Sequence, residues 1–215
     1  MSDRGRTSYF TKRGQYFGNL WAVYSYRAAS ILLLASDRQL AHWLLKLEFC
    51  SSIKSFDFVP SGKEFVNCPA LRLNFHAEVI PVEGHVQLHY LQTEGNTESY
   101  HEKKLCAKRY NFDYLEFNDG DWVPDRNKIL PLLKVSSFLS GSRKLYVPTA
   151  MLEAASSYIR AIRSGTLRGF LSALQEYEKN LGLVVFARFY SNRMIQVSFE
   201  SSLFAQDTRW RINEL

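Results

Sequence analysis

Cysteine is scarce in this chain. Cys50, Cys68 and Cys106 are the only three, odd in number and far apart, and none sits in a CxxC pair. That spacing offers neither a zinc ribbon nor a disulfide framework. It points instead to buried, reduced thiols of a cytosolic protein. Long apolar runs are also missing. The longest, Ala28 to Ala35, is interrupted by Ser30, far short of the roughly 20 residues that span a bilayer. The opening MSDRGRTSYF is polar and basic and lacks the apolar core of a signal peptide. No internal repeat and no low-complexity tract occurs. These absences lead to the expectation of an intracellular protein with no membrane partner.

What is present is a globular composition. Hydrophobic residues make up 46% and aromatic residues 14% of 215 positions, enough for one large domain or two small ones. The formal net charge is +6 and the pI about 9.2. Such an excess suits a phosphate-backbone partner, and it equally suits plain solubility. Residues 1–19 read as an extended arm, with Arg4, Arg6, Lys12 and Arg13 interleaved with Tyr9, Phe10, Tyr16 and Phe17. Either the cations meet phosphate while the rings stack on bases, or the rings pack onto the main domain. Lys12 and Arg13 are the DNA-contact candidates of this arm.

Hydrophobic periodicity sets out the rest. Trp21 to Leu34 reads as one or two strands. Ser36-Asp37 is a helix start, and Leu40, Trp43, Leu44 and Leu47 recur at helical spacing as far as Phe49. Ile53, Phe56 and Phe58 form a short strand that ends at Pro60. Leu71 to Val79 alternates with period two, Gly84 turns the chain, and His85 to Leu91 pairs back as a hairpin. Thr97 to Tyr110 reads as an exposed helix and Tyr114 to Phe117 as a strand, followed by an Asn118-to-Asp121 turn. Ile129 to Leu139 reads as an apolar helix with Pro131 near its start, where proline is tolerated. Ser140-Gly141-Ser142 reads as a linker. Beyond it come two helices, Thr149 to Arg163 and Thr166 to Lys179, then strands at Leu183 to Arg188 and Met194 to Phe199. Helix, helix and hairpin is the minimal pattern of a winged helix-turn-helix.

The run Ser36-Asp37-Arg38-Gln39-Leu40 through Leu47-Glu48-Phe49 to Ile53, with Pro60 beyond it, resembles the opening of the TnsA endonuclease family. These are the end-cleaving subunits of heteromeric, cut-and-paste bacterial transposases. Asn74-Phe75-His76-Ala77 stands where that family has a strand beginning with aspartate. Gln87-Leu88-His89 stands where it has "QVK" or "EVK". The charged helix, the strand and acidic turn Leu115 to Asp121, the helix Asn127 to Leu139, the winged-helix pattern and the tail Ser201 to Trp210 follow in the family's order. The resemblance implies an α/β fold. A restriction-endonuclease-like core, a mixed sheet flanked by helices, would occupy residues 20–140, and a small winged-helix domain residues 145–215.

The same resemblance implies what is missing. Its nuclease holds a divalent metal with two or three acids beside the scissile phosphate and orients water with a lysine, because hard cations require anionic oxygen ligands there. Here the helix glutamate falls on Gln39 or Leu40, the metal aspartate on Asn74, and the lysine on His89, which is mostly neutral near pH 7. Gln87 is compatible with the family. The expectation is a pseudo-nuclease of the bacterial cytoplasm that needs no cofactor, Mg2+ or Mn2+ entering only if the protein cuts. Glu78 is the fallback acid, on the strand face expected for Asn74 and His76, with Glu48 and Asp57 further from the frame. His76, His85 and His89 would meet across the hairpin in a transition-metal reading, against which stands their place as ordinary core or surface histidines; no metal site is expected.

In the C-terminal domain Arg160, Arg163 and Arg168 flank the helix junction, and Arg188 and Arg193 flank the wing. Recognition helices and wings use such side chains on DNA; a solvated basic rim has the same composition. The resemblance implies as partners DNA at transposon ends, a TnsB-like transposase and a TnsC-like ATPase. The alternatives are an active metal-dependent endonuclease with displaced acids and a winged-helix DNA-binding regulator.

Overall fold

The computed structural model describes residues 21–67, 71–92, 95–117, 126–198 and 205–213. Lys12, Arg13 and the rest of the expected arm lie outside them, as do Cys68, the 118–121 turn, Phe199 at the end of the expected wing strand and Ser201 to Phe204 of the expected tail. The chain forms two compact units, Met1–Pro124 and Asp125–Leu215.

The first unit opens with an antiparallel hairpin, β1 (Trp21–Ser25) and β2 (Ser30–Leu34), turning through Ala29 at φ 50°. The following helix begins at the expected Ser36-Asp37, whose side chains both accept from the Arg38 N–H. Its first turns are wide, π-type turns over Gln39–Leu44 and tighten into α1 (Leu45–Phe49). Leu40, Trp43, Leu44 and Leu47 are buried, as their spacing requires. Next come β3 (Ile53–Phe65), β4 (Leu73–Pro81) and β5 (Val86–Leu91), an antiparallel meander. Then α2 (Tyr100–Arg109) carries the chain back so that β6 (Phe112–Phe117) lies parallel to β5. The sheet order is β3-β4-β5-β6. This is a mixed sheet flanked by helices, the coarse architecture expected. α2 covers Leu73, Phe75, Leu88 and Tyr114 with Ala107. It ends through Asn111 at φ 62°, a residue type that tolerates that region.

Two local expectations are corrected. β3 does not end at Pro60 but runs on to Phe65, because the irregularity between Phe58 and Lys63, with Gly62 at φ 77°, lets the strand absorb the proline. The period-two alternation of β4 also breaks: Phe75, His76 and Ala77 are all buried in succession.

The second unit begins with α3 (Arg126–Gly141), which continues through the expected linker. Ser142 closes it by donating to the Phe138 carbonyl. Pro131 lies in the second turn, deeper than expected. After α3 follow α4 (Thr149–Ile162), β7 (Ser164–Thr166), α5 (Leu167–Ala173), α6 (Lys179–Ser191), β8 (Ile195–Val197) and β9 (Arg209–Ile212). The sheet order is β7-β9-β8, antiparallel throughout. The expected strand Leu183 to Arg188 is therefore a helix, and the second expected helix stops at Ala173. The core joins Met151, Ile159, Phe170, Val185, Phe186 and Trp210, with Phe138 of α3 packed against it. Among the described residues no helix is long and apolar enough to cross a membrane.

Candidate functional site

The expected catalytic positions separate into three places. Gln87 and His89 are neighbours on one face of β5, and they meet Trp43 from the preceding helix. The Trp43 indole N–H donates to His89 Nδ1 at 3.0 Å. An indole nitrogen only donates, so Nδ1 must be bare and the imidazole proton sits on Nε2. From there it reaches Gln87 Oε1 at 3.1 Å. The Trp43 ring also packs against Phe56 and Phe58 of β3, at centroid distances of 6.2 and 5.7 Å. Burial, with the Lys46 ammonium adding to it, pulls the His89 pKa down to about 3. The group standing where the resemblance puts a lysine is a neutral imidazole with both nitrogens engaged.

Gln39 is fully buried but serves another junction. Its amide oxygen accepts from the Ala35 N–H at 3.2 Å and its NH2 donates to the Gln92 carbonyl at 3.3 Å. It ties the end of β2 to the end of β5. Asn74 is exposed. The register explains its separation: His89 faces Ala77 and Gln87 faces Val79, so Asn74 lies three residues beyond the level of His89, on the order of 10 Å along the strand. Glu78 pairs with Leu88 and Asp57, so it projects from the opposite face to Gln87 and His89. Glu48 is buried and structural, accepting from the Ser25 hydroxyl and from the Arg27 N–H; burial raises its pKa against those two bonds.

The three histidines do not converge. His85 is exposed in the turn region, while His76 is buried, stacked on Tyr90 at 4.7 Å and accepting the Leu91 N–H on Nδ1. Burial takes its pKa to about 4. Among the described residues no three of His, Cys, Asp and Glu come together as metal ligands. Cys50 is free, but Cys106 is in a disulfide, contrary to the expected reduced thiols.

A polar cluster that the sequence did not reveal lies on the neighbouring strand of the same sheet, next to the level of His89. Glu116 on β6 is buried. It takes the Lys103 ammonium at 3.1 Å, the Thr97 N–H at 2.7 Å, the Thr97 hydroxyl at 2.6 Å and the Gln92 amide at 3.0 Å. Burial pushes its carboxyl upward, and the Thr97 and Lys103 contacts outweigh that and hold it below the usual range. Every partner is satisfied, so this cluster is a structural knot. Its members, Gln92, Thr97, Lys103, Glu116 and Tyr114, whose hydroxyl donates to Glu116 Oε1 at 3.2 Å, follow no local motif.

No known protein-family model matches the chain, and no curated protein matches it.

The arginines of the second unit divide sharply. Arg160, Arg163 and Arg168 are exposed. Arg188 is turned inward and donates to the Ser142 and Leu145 carbonyls at 3.3 and 3.0 Å. Arg193 is half-buried, and its carbonyl accepts from Asn213. Arg209 and Arg211, unremarked in the sequence because they sit in an unpatterned tail, are exposed on the central strand of the small sheet. Charge is divided just as unevenly. Residues 125–215 carry 13 Lys and Arg against 7 Asp and Glu, and residues 1–124 carry 14 against 14. The whole excess of +6 belongs to the second unit.

Proposed function

We propose that this protein is a non-cutting, TnsA-like component of a bacterial transposition system. It would bind transposon-end DNA and dock a TnsB-like transposase or a TnsC-like ATPase. One observation carries the reading: His89, which the resemblance aligns with the nuclease lysine, is held neutral between Trp43 and Gln87, and the residues it aligns with the carboxylates, Gln39 and Asn74, are amides that do not join it. Neutral amide and imidazole groups with their polar atoms already paired make poor ligands for a hard cation at a phosphate. The succession of helix, three antiparallel strands, helix and parallel strand supports a restriction-endonuclease-like core. The order helix, strand, helix, helix, strand, strand, with the last strand central, supports a winged helix in the second unit. A second reading, a DNA-binding regulator, is favoured by the concentration of net charge in residues 125–215.

A cleavage assay on supercoiled and transposon-end DNA, in magnesium and in manganese with binding scored on the same samples, tests the proposal. The expected result is retained DNA without nicks. Cutting that follows the protein through purification and disappears in Glu78→Ala would overturn it in favour of a nuclease with displaced acids. Binding of unrelated DNA as tightly as transposon ends, with no capture of transposase or ATPase, would favour the regulator.

A further inference from the structure

A winged helix reads DNA by placing its third helix in the major groove. In this chain that helix is α6, and its surface is already used. From Leu181 to Ser191 no residue is exposed, and Gly182, Val184, Val185, Phe186, Ala187, Phe189 and Ser191 are buried. α3 packs along it, and Arg188, the one cation in that stretch, is spent on the Ser142 and Leu145 carbonyls. Insertion of α6 would require α3 to leave.

The opposite arrangement holds on the small sheet. Trp210 points inward and is 3% exposed; its indole N–H donates to the Thr166 carbonyl at 3.1 Å. A Cβ on Gly165, across from it, would stand 3.3 Å from the ring, so glycine lets the indole seat closely. With Trp210 fixed inward, the pleat turns Arg209 and Arg211 outward. Ser164, Thr166 and Gln196 surround them, all exposed, and Gln196 Oε1 accepts from Arg211 Nε at 2.7 Å. Arg163 precedes β7, and Arg168 follows it, its N–H bonded to the Gln206 carbonyl. Asp207 is the nearest acid in sequence, on the approach to β9. Among the described residues neither Arg168, Arg209 nor Arg211 is in a salt bridge.

We propose that the second unit contacts the sugar–phosphate backbone of duplex DNA through the outer face of the β7-β9-β8 sheet. Arg209 and Arg211 are the central contacts and Arg163 and Arg168 the flanking ones. The inference rests on the DNA-binding part of the proposed function and specifies its surface. Residues two apart on a strand are separated by about 7 Å, so the pair engages successive phosphates and not one. No aromatic side chain stands on the described part of this face, which removes the stacking platform that single strands need. The face therefore suits duplex DNA held without base reading.

The test is fluorescence anisotropy of the 215-residue chain with a labelled 20-base-pair duplex over a range of salt. If the four arginines each neutralise one phosphate, log K falls with log salt at a slope of about −3.6. R209Q/R211Q should lower that slope by about 2 and weaken binding at least ~10-fold at 0.1 M salt. R209K/R211K, which keeps the charge, should restore most of the slope, and an unchanged circular dichroism melt in both variants excludes unfolding. An unchanged slope in R209Q/R211Q, with loss in K179Q at the start of α6 or in K12Q/R13Q, would overturn the surface and leave DNA binding standing. No duplex binding by the parent protein at low salt would overturn both.

Discussion

At the scale of single residues, His76 and His89 make the fold sensitive to acid. An unfolded chain takes up a proton on each below about pH 6.5. The folded chain resists until about 4 at His76 and about 3 at His89, because burial penalises the charged ring. The unfolded state therefore binds more protons throughout that interval, and stability falls as pH falls. The full contribution is present above 6.5 and is lost progressively towards 4 and 3. Each histidine adds at most about 1.4 kcal/mol per pH unit. Urea unfolding at pH 7.5, 6 and 5 should show a steadily decreasing midpoint, and His89→Gln should remove about half of the slope. A midpoint that is flat across those pH values would mean that burial does not hold the two rings neutral in the folded chain. The sequence made His89 visible as a neutral group on an alternating strand. It did not reveal the donor that fixes the tautomer, because Trp43 lies 46 residues away.

At the scale of elements, periodicity was readable where one face is wet and unreadable where none is. The helix through Leu40, Trp43, Leu44 and Leu47 has a wet side, with Asp37, Arg38 and Lys46 exposed. Leu183-Val184-Val185-Phe186 has none. A helix buried all round and a core strand give the same short apolar run, and β-branched residues tip the reading to a strand. α3 is what makes the helical solution possible, since it covers α6 and brings Phe138 onto the core. A fragment starting at residue 145, where the sequence placed the domain, would lose that cover. Losing a core aromatic alone costs about 3–5 kcal/mol, comparable to the lower range of domain stability. Residues 125–215 should therefore melt cooperatively, whereas residues 145–215 should show no cooperative transition by circular dichroism. Equal melting of the two would show that α3 is dispensable to the second unit. The same logic limits what was legible of the site: Gln87 and His89 share one strand and were read together, whereas Asn74 depended on a register that β4 breaks at His76 and Gln39 on long-range contacts to the ends of β2 and β5.

For the whole molecule, the division of charge decides where an electrostatic partner can be held. The first unit balances 14 cations with 14 anions, so its long-range field is weak outside local patches; the second carries the entire +6. Counterion release counts the cations that meet phosphates and not those paired internally. In the first unit Lys63 and Lys103 are committed to Asp57 and Glu116, and its remaining basic residues include Arg4, Arg6, Lys12 and Arg13 of the arm and Lys104, Lys108 and Arg109 of α2. Two distributions of binding follow, and they differ in one number. If the sheet face of the second unit does the holding, residues 125–215 should retain the salt slope of the full chain to within about one phosphate equivalent, a difference near 0.9. If the arm also meets DNA, the full chain should be steeper by about 2 to 4, and the K12Q/R13Q variant should recover part of the difference. Anisotropy titrations of the two proteins on one duplex separate the cases. Equal slopes would mean that the first unit contributes no phosphate contacts. A steeper full chain would bring that unit onto the DNA it is expected not to cut.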